Sequence, residues 1–263
     1  MSLARRHRDR ILAAQSAASA PDGGAGHVPA ADLPPAAGAT NAMAADRAAA
    51  EIALRLTHDL RRLKEIKSID KKVEAKRLML PEYISWVKGL FEADKGVGTG
   101  TAAEVAPTVM VWLIDIGEFD DALDLGEFLL RHDVAMPSRY NRDVATVLVE
   151  EIADAAIKVQ NAGETFPLAI LFRVDGLTDT ADMHDEARAK LMKAMGVELL
   201  RHAEDVEAQE APTALNHALT ALREAQRLND RVGVKDRIKR AEKLLAACAA
   251  AAPATEQGGD SAA

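Results

Sequence analysis

Apolar positions recur at helical spacing through most of the chain. Ile52, Leu56, Leu60, Leu63, Ile66, Ile69 and Val73 follow one another at steps of 4, 4, 3, 3, 3 and 4, a mean of 3.5. That is the heptad period. No Pro or Gly interrupts the run before Pro81, and a residue that precedes proline is pushed away from helix. The pattern predicts one long helix over 44–79. Its apolar stripe is a candidate oligomerisation seam; packing onto the chain's own later helices is the other use for the same face.

More helical patterns follow in quick succession. Pro81 opens one that runs through Phe91, with Tyr83, Trp86, Val87 and Leu90 on one stripe. A Gly-rich loop covers Lys95 to Thr101, and Pro107 suits the first turn of a helix ending at Ile116. Gly117-Glu118 reads as a turn before a helix over Phe119–Arg131. Arg142–Asn161 is next, stopped by Gly163, and then a short helix over Pro167–Arg173. Asp182 is the expected N-cap for 183–195, with Gly196 as its stop. Segments 197–203, 212–228 and 232–251 complete the series. No alternating strand pattern persists, so the predicted fold class is all-α. The stretches Trp112–Leu123 and Ala214–Ala225 resemble tetratricopeptide-type hairpins, and ordinary helical-hairpin packing accounts for them as well.

The predicted organisation is a basic arm over 1–20, a linker over 21–43, the long basic helix over 44–80, an acidic helical domain over 81–250 and a tail over 251–263. The linker is rich in Ala, Pro and Gly (Pro21, Gly23, Gly24, Pro29, Pro34, Pro35) and has little to pack with.

Charge divides the 263 residues the same way. Residues 1–80 hold 14 Lys and Arg against 9 Asp and Glu; residues 81–263 hold 19 against 32. A basic N-terminal third suits a polyanion, with nucleic acid or an anionic membrane as the candidates. The first 20 residues carry Arg5, Arg6, Arg8 and Arg10 but no unbroken apolar core, unlike a secretory signal. They share an Arg-rich, Ala-rich character with transit peptides. No apolar run reaches the roughly 18 residues of a membrane span. The lone Cys248 excludes a disulfide framework, and a reducing, cytoplasmic compartment is the expectation.

Candidate chemistry is sparse. Gly96-Val97-Gly98-Thr99-Gly100 follows a helical pattern rather than a strand and lacks a terminal Lys-Ser/Thr pair, unlike phosphate loops. Asp115, Glu118, Asp120, Asp121, Asp124 and Glu127 could form a two-metal nuclease site. They crowd one turn and one helix start, where acids also favour the helix dipole. His184 with Asp182, Asp185 and Glu186 has the same two readings. Cys248 reads as a small buried residue, and Trp86 and Trp112 as core. No catalytic residue, metal ligand or cofactor is assigned.

Several segments together resemble one family. Ala4-Arg5-Arg6-His7-Arg8-Asp9-Arg10-Ile11 resembles the Arg-His-x-x-Arg start of small terminase subunits from temperate, contractile-tailed phages. The similarity continues through the basic segment Leu60–Lys67, through Leu80–Val87, and through Val109–Gly117. It takes in Ala135-Met136-Pro137 and Ala181–Leu191, and spans about 4–245. The resemblance implies binding of double-stranded, concatemeric phage DNA in the cytoplasm of the infected or lysogenic host. It also implies a ring-like homo-oligomer and recruitment of a large subunit that carries the ATPase and nuclease. Expected phosphate contacts are Arg61, Arg62, Lys64, Lys67, Lys71, Lys72, Lys76 and Arg77, with Arg5, Arg6, Arg8 and Arg10 as an arm. The C-terminal tail, neutral to acidic, is not expected to bind DNA, and no membrane partner is implied. Two alternatives stand: a Mg²⁺-dependent endonuclease using Asp115, Asp120, Asp121 and Asp124, and a tetratricopeptide-like adaptor.

Overall fold

The computed structural model describes the backbone of residues 37–251 and the side chains of residues 44–250. The expected Arg5–Arg10 arm, most of the linker and the tail lie outside these residues. Ten helices, and no strand, occur among the described residues: α1 Ala37–Glu65, α2 Ile69–Met79, α3 Pro81–Ala93, α4 Gly100–Ile116, α5 Phe119–Arg131, α6 Val144–Asn161, α7 Leu168–Thr178, α8 Asp185–Asp205, α9 Ala211–Leu228 and α10 Lys235–Ala251. The all-α expectation holds. The described side chains, residues 44–250, belong to one compact unit.

The first correction concerns the long helix. It starts upstream of residue 44, at Ala37, because alanines past Pro34-Pro35 continue the helical run. It also does not reach residue 79 unbroken. Ile66, Lys67 and Ser68 leave the helix, and Ser68 accepts a hydrogen bond from the Lys71 N–H as the N-cap of α2. A serine hydroxyl competes for backbone donors and so favours a helix start over a helix interior. The heptad seam therefore ends at a bend. Ile52, Leu56 and Leu63 are buried in the chain's own core, with Leu60 and Ile66 packed against it. Ile69 is 72 % exposed.

Pro107 is the second correction. It lies inside α4, which starts at Gly100. Proline leaves the carbonyl four residues back without its donor. Burial of Ala102, Val105 and Ala106 in those same turns outweighs that loss. Where α4 ends, the turn is as expected. Gly117 has φ +88°, its N–H bonds to the Ile114 carbonyl, and the Glu118 N–H bonds to the Leu113 carbonyl. These two bonds are the Schellman pattern, which needs a left-handed residue at that position.

Gly196 is the third correction. Residues 183–195 and 197–203 are one helix, α8, and Gly196 sits within it. Asp182 is not its cap; His184 holds that position, without a side-chain cap bond. A Cβ at Gly196 would lie 2.7 Å from Cγ and Cδ2 of Leu222 on α9. The glycine serves close helix packing, flanked by Ala189, Ala194, Ala218 and Ala221, all buried. Gly126 on α5 does the same, with Leu148 of α6 at 2.8 Å from the missing Cβ. The Pro167–Arg173 helix is likewise longer than expected, because α7 continues to Thr178 through buried Ile170, Leu171 and Val174.

Few aromatics are present, yet they pair across elements. Tyr83 meets Trp112 edge-on at 5.5 Å, Phe91 meets Phe128 at 4.6 Å, and Phe119 meets Phe166 at 5.0 Å. These contacts join α3 to α4, α3 to α5, and α5 to the loop before α7. Trp112 is buried and Trp86 half-buried in that core, and Cys248 is half-buried at its edge.

Candidate nucleic-acid interface

The basic run is gathered around the bend between α1 and α2. Arg61, Arg62 and Lys64 are on the last turns of α1, Lys67 lies in the bend, and Lys71 and Lys72 are on the first turn of α2. All are exposed except Lys72, which is half-buried. Among the described residues none of these six makes a salt bridge. Only Glu65 and Asp70 offset them within residues 61–72.

The last two expected contacts are used differently. Lys76 bonds to the Asp115 carboxylate and is only 16 % exposed. Arg77 donates to the Ile116 carbonyl at 3.1 Å. That carbonyl lies at the C-terminus of α4, where a cation is favoured by the helix dipole. Both residues hold α2 on α4.

Periodicity could not reveal what anchors this surface. Arg55 of α1 pairs with Glu82 of α3 at 2.8 Å, and the Tyr83 hydroxyl donates to Asp59 at 2.7 Å. The only clue was that Asp59 and Tyr83 sit at polar and apolar positions of adjacent helical patterns. Tyr83 is fully buried. Burial, then the Asp59 hydrogen bond, pushes its phenol well above the ordinary value of 10.0.

The candidate metal residues do not form one ligand set. Asp115 is bound to Lys76; Asp124 and Glu127 of α5 both face Arg173 of α7, at 2.5 and 3.3 Å. Among the described residues no three His, Cys, Asp or Glu side chains converge as metal ligands. The glycine loop joins α3 to α4, so a helix and not a strand leads into it, and buried Val97 pins it to the core. No described helix is long and apolar enough to cross a membrane.

The family model for the phage small terminase subunit matches residues 53–186. The chain belongs to that family. It is 36 % identical over 195 residues to the "Terminase, endonuclease subunit" of Escherichia phage P2, covering 74 % of this chain and 73 % of that protein. It is 26 % identical over 208 residues to the "Probable terminase, endonuclease subunit" of Haemophilus phage HP1 (strain HP1c1), covering 78 % and 72 %. No solved structure matches it. The small-terminase match begins within α1 and ends at the start of α8. It therefore contains the basic bend and its anchors on α3 and α4.

The Tyr83–Asp59 bond gives a test of that anchoring. Tyr83→Phe is expected to cost about 1–2 kcal/mol, the loss of a hydrogen bond to a charged acceptor that water can partly replace. The raised phenol also sets a sign. Stability from this group is fully present below pH 10 and falls as pH rises beyond it, because the unfolded chain then releases the proton first. Urea midpoints at pH 9 and pH 11 should therefore fall less for Tyr83→Phe than for the parent. Equal falls would remove the assignment.

Proposed function

We propose that this chain is the DNA-recognition and assembly subunit of a phage terminase. It would bind concatemeric viral DNA and recruit a large ATPase and nuclease subunit in the host cytoplasm. The observation that carries the reading is the group of six bases around the α1–α2 bend, without acidic partners among the described residues, in a small-terminase family member. Phosphate contacts of this kind give affinity and register. The Arg5, Arg6, Arg8 and Arg10 arm would add to them. The acidic helices beyond residue 100 would meet the large subunit. For ring-like self-association the stripe offers Ile69 and the half-buried Val73, since Ile52, Leu56 and Leu63 are buried within the chain and Leu60 and Ile66 pack against its core.

The names of both relatives bring an endonuclease role into the same experiment. Duplex DNA is titrated with purified protein across salt concentrations, first without and then with Mg²⁺. Steep salt dependence with intact DNA in both series supports the recognition subunit. Cleavage that starts with Mg²⁺ and stops in Asp120→Asn and Asp121→Asn variants supports a nuclease in this chain. No retention of DNA even at low salt leaves the adaptor reading.

A further inference from the structure

The last helix inverts the charge of its surroundings. Residues 81–230 hold 13 Lys and Arg against 28 Asp and Glu, whereas residues 231–243 hold six against two. Within the first stretch most of the bases are already neutralised: Arg131, Arg139, Arg142, Arg173, Arg188, Lys190, Arg201, Arg223 and Arg227 all sit in ion pairs. On and just before α10 the pattern differs. Arg240 pairs with Glu204, but Arg231, Lys235, Lys239 and Lys243 are exposed and make no ion pair among the described residues.

These four positions are four residues apart. Steps of four turn only slightly around a helix of 3.6 residues per turn, so the three lysines of α10 form one stripe about 12 Å long. The packing fixes where it points. Ala241 is fully buried, and Ile238, Leu244, Leu245 and Cys248 pack on the core. The lysines occupy the opposite side of α10 and face solvent.

We infer that the Lys235–Lys239–Lys243 stripe of α10, together with Arg231 in the turn before it, is a second contact for the phosphate backbone of duplex DNA, separate from the α1–α2 bend. A row of cations that outnumbers the acids beside it, Asp236 and the Arg223-paired Glu242, and spans several phosphates is what releases counterions from a duplex. Nucleic acid fits better than an anionic membrane. Interfacial helices insert large apolar side chains beside their cations, and none of the large apolar side chains exposed among the described residues lies on α10. A second contact lets one subunit hold DNA at two points, or bridge two segments of it. The inference rests on the DNA-binding reading above but not on the placement at the bend.

The experiment compares full-length parent protein with two variants on one labelled duplex. One variant carries Arg231→Gln, Lys235→Gln, Lys239→Gln and Lys243→Gln; the other carries Arg61→Gln, Arg62→Gln, Lys64→Gln and Lys67→Gln. Glutamine preserves helix propensity, and unchanged thermal unfolding of the α10 variant checks the fold. The slope of log affinity against log salt should become shallower in the α10 variant by about 0.9 for each phosphate that the stripe no longer neutralises. A parent-like slope and low-salt affinity in that variant overturns the inference. If only the α10 variant changes, this inference stands and the bend placement fails. If the parent itself retains no duplex, both fail. Loss of binding to phosphatidylserine vesicles with an unchanged DNA slope assigns the stripe to membrane and overturns it too.

Discussion

Replacing Arg61, Arg62, Lys64, Lys67 and Lys71 together with glutamine is expected to flatten the salt dependence of duplex binding by about 4–5 in the log–log slope. Each cation that neutralises a phosphate contributes about 0.9. Between about 50 and 200 mM salt, five such cations account for a change in affinity on the order of 10²–10³. The effect should be the same for any duplex sequence, because phosphates carry no sequence information. Lys76→Gln supplies the contrast. Lys76 is engaged with Asp115, so its loss should lower the melting temperature and leave the slope unchanged. A five-residue variant with the parent's slope would move the DNA contacts elsewhere in the chain.

Glu198→Ala should be among the most destabilising single changes in the helical domain, by about 3–5 kcal/mol. Glu198 on α8 is 4 % exposed. Its carboxylate accepts from the Gln160 side chain of α6 at 2.9 Å and from the Phe166 backbone N–H at 3.1 Å. Arg201 approaches its other oxygen at 3.5 Å and donates to the Glu164 carbonyl at 2.6 Å. One side chain thus joins α6, α8 and the loop before α7. Alanine leaves a buried N–H without its acceptor and a cavity beside Phe166, which itself packs on Phe119. A domain of this size loses roughly 2–4 °C of melting temperature per kcal/mol, so a fall of about 6–20 °C should be seen by calorimetry. Glu198→Gln keeps an acceptor oxygen and should recover much of the loss. A melting temperature within about 2 °C of the parent for Glu198→Ala would show that α6 and α8 are held by apolar packing alone.

The contrast between these two sites shows what was legible. The basic bend was visible as residues, because a run of Lys and Arg between apolar helical positions is a local pattern. Its division was not. Lys71 and Lys76 read alike in sequence, yet one faces water and the other is held by Asp115, 39 residues away. Glu198 left no local signal at all, since its partners lie 32 and 38 residues back. Gly196 gave a misleading one. Glycine after a helical run reads as a stop, and only the approach of Leu222 shows why it belongs inside α8.

Taken alone, the sequence determined that the chain is helical, that its positive charge is concentrated toward the N-terminus, and that its family resemblance is to small terminase subunits. Those properties depend on spacing, composition and order, which are written along the chain. The tertiary structure alone decided which cations remain available, where the candidate carboxylates go, and that the heptad stripe is largely consumed within one subunit. Each of those outcomes depends on distances between residues far apart in sequence, and helical periodicity describes which face a residue occupies without naming what that face meets.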